Sequence, residues 1–84
     1  MHYVYIIKNE IDELYYGCTN NLKKRFFEHN SGESFSTKNH EWKLAYYEAY
    51  LREEDAWNRE KQLKRHGQAL AQLKRRIKKS LSES

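Results

Sequence analysis

Tyr5, Tyr15, Arg25, His29 and Glu60 carry side chains that can move protons or hold phosphate. A phenol and an imidazole exchange protons. A guanidinium offers a planar fork of donors to phosphate oxygens. A carboxylate can hold a proton or a divalent cation. Their spacing singles them out. Leu22, Arg25, Phe26 and His29 recur at helical spacing, so a guanidinium and an imidazole share one stripe with two apolar residues. Ala56, Glu60 and Leu63 repeat the arrangement around a carboxylate. Helix stripes that pack on a sheet are normally apolar, and inward charge is costly unless it is paired or hydrogen-bonded. Two explanations stand side by side: an Arg25–Glu60 ion pair beneath the sheet edge, or a built site. Tyr5 and Tyr15 are open in the same way, as core aromatics or as phenols of that site. Arg25 and His29 could also reach solvent from an apolar stripe.

The elements that must position these groups follow from composition and periodicity. Tyr3 to Ile7 is β-branched and aromatic throughout and is expected to be a strand. Leu14 to Thr19 resumes that character after a short polar turn, which predicts an antiparallel hairpin. Side chains alternate faces, so a suitable register puts Tyr5 and Tyr15 on one face. Gly17 inside the second strand predicts a bulge or a close backbone approach. Thr19 and Asn20 are candidate caps for a helix over Asn21 to His29, ended by Asn30-Ser31-Gly32. Residues 31–41 read as a mobile polar loop and Trp42 to Tyr50 as a third strand. A second helix over Arg52 to Lys64 places Trp57 beside its apolar stripe, with Gly67 as its stop. A third, over Gln68 to Lys79, spaces Leu70, Leu73, Ile77 and Leu81 along one docked face. The expectation is an α+β domain over residues 1–80, a small three-stranded antiparallel sheet flanked by three helices in the order ββαβαα. Residues 81–84 are expected to fray.

Bulk composition narrows the class. Eighty-four residues suffice for one thin-cored domain, and 7 Tyr, 2 Trp and 3 Phe supply large contact areas to it. With Cys18 as the lone cysteine, an internal disulfide is excluded. His2, His29, His40 and His66 show no zinc-ligand spacing. The longest apolar run is far short of the roughly 20 residues that cross a bilayer. A soluble, cytoplasmic protein is expected, as a monomer or weak dimer. The net charge of +4 favours an anionic partner without identifying one. From Lys64 to Lys79 there are seven Lys or Arg and no acid. Such a segment is either a phosphate-tracking surface or a solvated helix face.

Certain short motifs occur in one order: Tyr3-Val4-Tyr5, Tyr15-Tyr16-Gly17, then Thr19, Asn21-Leu22 and Arg25, then Glu28-His29-Asn30, and finally Arg59-Glu60 with Lys64. Together they resemble the GIY-YIG nuclease superfamily. Within it they are most similar to short stand-alone bacterial members, described as excinuclease-like or as predicted endonucleases. The resemblance runs from about residue 2 to residue 65, and more loosely to residue 79. Tyr3 stands where the family name has Gly, and Tyr16 where it has Ile. Many members carry an asparagine after the glutamate, and residues 61–84 contain none.

The resemblance implies a metal-dependent endonuclease that hydrolyses DNA phosphodiester bonds in repair, recombination or mobile-element processing. Glu60 would hold Mg²⁺ or Mn²⁺. Arg25 would bind phosphate, Tyr5 would act as general base or orient the attacking water, and Tyr15 would position water or phosphate. His29 would share the base role or contact phosphate. Lys24, Lys64, Arg65, Lys74 and Arg75 are the expected nucleic-acid contacts. A protein partner for targeting is a further expectation. The alternative left open is a non-catalytic nucleic-acid-binding module of the same fold.

Overall fold

The computed structural model describes residues 1–32, 37, 39–65 and 67–82. Strand β1 (His2–Asn9) lies between β2 (Leu14–Thr19) and β3 (Trp42–Tyr50) in an antiparallel sheet of order β2-β1-β3. A middle strand covered on both faces has no solvent side. Accordingly Val4, Tyr5, Ile6 and Ile7 are consecutive buried residues. The hairpin from β1 to β2 is fixed by Asn9, whose side-chain oxygen accepts from the backbone N–H groups of Ile11 at 3.1 Å and Glu13 at 2.9 Å. Asp12 takes the left-handed conformation there (φ 65°), which Asp and Asn tolerate better than most residues.

Helices cover both faces. Helix α1 (Leu22–Ser31) brings Leu22 and Phe26 onto Tyr5, Ile7, Trp42 and Tyr15. Helices α2 (Glu53–Arg65) and α3 (Gly67–Arg76) bring Ala56, Leu63 and Leu73 onto Val4 and Ile6. Each fully buried Leu, Ile or Val contributes roughly 1.5–3 kcal/mol relative to exposure, so this second cluster, whose buried members are all apolar, is the main source of cohesion. Three acids open α2, and Lys64 and Arg65 close it, matching the helix dipole.

The expected α+β architecture and element order hold, with refinements. The third helical stretch breaks at Ile77 into α3 and a short α4 (Lys78–Ser82), although the N–H of Ile77 still donates to Leu73 O at 3.0 Å. Leu81 and Ser82 are therefore helical, and the Lys8 ammonium donates to Leu81 O at 2.6 Å, so the expected frayed tail does not begin at residue 81. Residues 83 and 84 lie outside the described residues. The cap of α1 is Asn21, whose side chain accepts from Lys24 N, rather than Thr19 or Asn20; Thr19 instead accepts from Asn21 N. Gly32 ends α1 in the left-handed conformation (φ 82°), as its sequence position suggests. Gly67 is the first residue of α3 rather than a stop after α2. Trp57 is 51% exposed and takes no part in the core, because Ala56 and Leu63 already fill the inward stripe of α2.

Candidate active site

The β1–β2 register pairs Tyr5 with Gly17 and Ile7 with Tyr15, so Tyr5 and Tyr15 share the face covered by α1. Gly17 is required here by space rather than by φ. A methyl group on its Cα would overlap the Tyr5 hydroxyl and ring, so the phenol lies flat across the backbone of the neighbouring strand. That is the close approach the sequence predicts.

From α1, His29 drops into the same face and is fully buried. Its Nε2 lies 2.7 Å from the Tyr5 hydroxyl and its Nδ1 lies 2.7 Å from Thr37 Oγ1. The Tyr15 ring meets His29 edge-on at 4.9 Å between centroids. One turn earlier, Arg25 interacts with both phenol oxygens and pairs with Glu28 at 3.3 Å. Its side chain is 32% exposed, so the guanidinium forms a rim above the buried Tyr5–His29 pair.

Electrostatics follow from this layering. Burial pushes the Tyr5 phenol up to about 12, outweighing the opposing pull of Arg25. Burial, seconded by Arg25, pushes His29 down to about 4, so its imidazole is neutral at physiological pH. Burial works against the Arg25 charge, but Tyr5, Glu28 and Tyr15 outweigh it and hold its pKa above the ordinary value. The cluster thus presents a fixed cation over a neutral hydrogen-bonded pair.

Glu60 stands on α2, which packs on the opposite sheet face. Its charge still reaches Tyr5 and Cys18. Its side chain is 24% exposed and pairs loosely with Lys64 at 3.7 Å. Of the two explanations open in the sequence, the Arg25–Glu60 ion pair does not form; Glu28 pairs with Arg25 instead. Among the described residues, no group of three or more His, Cys, Asp or Glu could hold a metal ion. Lys24, Lys64, Arg65, Lys74 and Arg75 are all exposed. Lys24 is on α1, however, and the other four are on α2 and α3, across the sheet. An open groove of about 460 Å³ lined by Tyr3, Leu22, Phe26 and Tyr47, among others, runs beside α1 and contains none of the five candidate catalytic groups.

Thr37 and Trp42 belong to this site without any mark in the sequence, and Asn30 joins them with a role its motif does not reveal. Thr37 is fully buried, and the Trp42 indole N–H donates to its carbonyl at 2.8 Å. The Asn30 side chain exchanges two hydrogen bonds with the Trp42 backbone, at 3.0 and 2.7 Å. A lone threonine in a polar stretch carries no periodic signal, so only the three-dimensional closure reveals it. The part of the expected mobile loop at residues 33–36 and 38 lies outside the described residues, as does His66.

The two tyrosine half-motifs thus lie on paired strands, with an arginine and a histidine from the next helix closing over them. Residues 1–77 match the family model of the GIY-YIG catalytic domain. The chain belongs to the GIY-YIG family. Two relatives agree in extent. A UPF0213 protein of Clostridium perfringens is 39% identical over 67 residues, covering 77% of this chain and 72% of its own length. A UPF0213 protein of Bacillus pumilus is 34% identical over 65 residues, covering 75% and 66%. No solved structure matches the chain. As a GIY-YIG domain it falls in a nuclease family whose substrates are nucleic acids. Among its described residues no helix is long and apolar enough to cross a membrane.

Proposed function

We propose that this GIY-YIG domain is a divalent-metal-dependent endonuclease that hydrolyses phosphodiester bonds of DNA, of use in repair, recombination or mobile-element processing. The observation that carries the reading is the 2.7 Å contact between Tyr5 and a buried, neutral His29 beneath the exposed rim of Arg25. Arg25 and Tyr15 engage the scissile phosphate, Arg25 exchanging its Glu28 partner for phosphate oxygens. Water entering beside them attacks phosphorus. As its oxygen forms the new P–O bond, its proton passes to the Tyr5 oxygen and the Tyr5 proton passes to His29 Nε2. The ester bond breaks and its oxygen leaves with the electron pair, taking a proton from solvent. Handing the proton on matters because a phenol with a pKa of about 12 holds almost no phenolate at neutral pH. A positioned proton acceptor with a pKa near the working pH is worth roughly 10²–10⁴ in rate, and the low pKa of His29, about 4, sets its contribution toward the bottom of that range.

Glu60 fits a single-carboxylate Mg²⁺ or Mn²⁺ site. Its carboxylate is accessible, and its one ion pair among the described residues is loose. Mg²⁺ accepts one carboxylate when water and substrate phosphate complete its shell. When bound, such an ion supplies charge neutralisation on the phosphate and the departing oxygen. The exposed Lys64, Arg65, Lys74 and Arg75, with Lys24 across the sheet, hold the flanking backbone without reading bases.

The test is cleavage of duplex, single-stranded, nicked and branched DNA with Mg²⁺ or Mn²⁺, run for wild type, Arg25→Ala and Glu60→Ala. Metal-dependent cuts that fall by about two orders of magnitude or more in both variants are expected. Cuts that survive in the variants place the chemistry elsewhere. DNA binding without cleavage in any protein favours the second reading, a non-catalytic binding module. The absence of an asparagine from residues 61–84 is the observation on its side.

A further inference from the structure

A neutral imidazole carries one proton on two nitrogens, and the partner of each nitrogen decides where it sits. For His29 the partners are the Tyr5 hydroxyl at Nε2 and Thr37 Oγ1 at Nδ1, both at 2.7 Å. Both partners are hydroxyls, able to donate or accept, so distance alone leaves the direction open. The surroundings of Tyr5 decide it. The residue is only 1% exposed in the substrate-free protein, so bulk water does not compete there as an acceptor. Arg25, which also faces the phenol oxygen, can only donate. Among the described residues, His29 Nε2 is the hydrogen-bond acceptor within reach of the Tyr5 proton. An Nε2–H would set a second donor against that oxygen and strand a buried hydroxyl proton, which is costly. Nε2 therefore accepts, and the imidazole proton sits on Nδ1 and donates to Thr37 Oγ1.

Thr37 is held for this role. Its carbonyl accepts from the Trp42 indole at 2.8 Å, and Trp42 is pinned by both ends of the Asn30 amide. Asn30 follows His29 directly on α1. The chain leaves the helix at one end of this loop and returns to the same imidazole with a hydroxyl.

We propose that Thr37 is a positioning residue that holds His29 in the Nδ1–H form and so leaves Nε2 open to receive the Tyr5 proton. This rests on the reading of Tyr5 and His29 as the proton path, and it adds the residue that accepts the hydrogen bond of Nδ1–H when Nε2 takes the proton of Tyr5. Thr37 is fully buried against His29 and acts through it. Valine has nearly the shape of threonine, so Thr37→Val removes the acceptor with little change of volume, and Thr37→Ser keeps the acceptor.

The experiment is ¹⁵N NMR of the imidazole in the full chain without DNA or metal, with the His29 signals assigned by their loss in His29→Gln. In wild type and Thr37→Ser, a protonated Nδ1 and an unprotonated Nε2 are expected. In Thr37→Val, the signals should move toward the Nε2–H form, and DNA cleavage should fall about tenfold while Thr37→Ser stays close to wild type. A wild-type imidazole protonated at Nε2, or a Thr37→Val spectrum identical to wild type, overturns the proposal. Should Thr37→Val fail to fold, the wild-type and Thr37→Ser spectra still decide it. The spectra do not depend on turnover, so a protein that binds DNA without cutting it would sink the nuclease reading and leave the assignment of Thr37 to be judged separately.

Discussion

The two faces of the sheet each hold a polar cluster built from two tyrosines and an arginine, and they differ in what sits at the centre. On the α1 face, Tyr5, Tyr15 and Arg25 surround the neutral imidazole of His29. On the α2 face, Tyr46, Tyr50 and Arg59 surround the carboxylate of Glu48. There Tyr46 donates to one oxygen at 2.6 Å, Tyr50 donates to the other, and the Arg59 Nε–H reaches both at 3.0 and 3.1 Å. Burial would raise the Glu48 pKa, but the two phenols and Arg59 outweigh it and hold the carboxyl below its ordinary value. There both phenols and the Arg59 Nε–H have their acceptor in one carboxylate, and the charges cancel. On the α1 face the donors outnumber what the imidazole can absorb, and Arg25 keeps an exposed edge. Nearly the same inventory of side chains makes a clasp in one place and a site in the other. What separates them is whether the cationic and phenolic groups are used up by a partner inside the protein.

The largest expected difference is catalytic. Tyr5→Phe removes the hydroxyl that passes the proton, and DNA cleavage should fall at least about 100-fold. Tyr50→Phe removes a hydroxyl from the other cluster, and cleavage should stay within about twofold while stability drops by about 1 kcal/mol. Steady-state cleavage paired with urea denaturation reads both. Equal loss of activity in the two variants would erase the distinction between site and clasp.

Acid should separate the clusters next. His29 titrates at about 4 in the folded protein against 6.5 in an unfolded chain. The unfolded chain therefore binds more protons between these values, so stability is complete above pH 6.5 and is lost as pH falls toward 4. The loss is about 3 kcal/mol for this fully buried ring. Glu48 also has a depressed folded pKa, but its stabilisation fades only as pH falls below the ordinary carboxyl range. Denaturation midpoints measured from about pH 7 to about pH 3.5 should thus decline first from His29 and later from Glu48 and other carboxylates. His29→Gln should flatten the segment above about pH 5. A His29→Gln profile parallel to wild type in that segment would contradict the buried neutral imidazole.

The same contrast explains which parts of the molecule are legible in the sequence. β1 reads directly, because a strand buried on both faces has to be β-branched or aromatic at Val4, Tyr5, Ile6 and Ile7. Arg25, His29 and Glu60 stand out because charge on an apolar helix stripe violates the expected pattern. Gly17 announces a close approach, although not that Tyr5 is the approaching group. The partners of these residues are not legible. Glu28 rather than Glu60 neutralises Arg25, since i and i+3 on one helix are nearer than two helices on opposite faces. Thr37, Asn30 and Glu48 act through contacts between distant segments, and neither residue type nor spacing marks those contacts. Thr19, Asn20 and Asn21 are all competent caps for α1, and only hydrogen-bond geometry ranks Asn21 first.

The smallest effect tests the clasp from its centre. Glu48→Gln keeps the shape and one carbonyl acceptor, replaces the other oxygen with a donor, and removes the negative charge. Arg59 then loses its ionic partner, and one of the two phenols faces an N–H instead of an acceptor. Glu48 and Arg59 retain 15% and 23% side-chain exposure, so water offsets part of the loss. A destabilisation of about 1–2 kcal/mol is expected, at the lower end of what broken charged hydrogen bonds cost. The substitution touches no member of the α1 cluster, and α2 remains docked through Ala56 and Leu63. Arg59 directly precedes Glu60, the candidate metal ligand, yet the helix that carries Glu60 is also docked by the buried Ala56 and Leu63. Cleavage measured well below the melting range should therefore change by less than about threefold, which is under 1 kcal/mol of barrier. A much larger loss of cleavage with little loss of stability would mean that the Glu48–Arg59 pair sets the position of Glu60. The cluster would then be part of the site's machinery rather than a clasp.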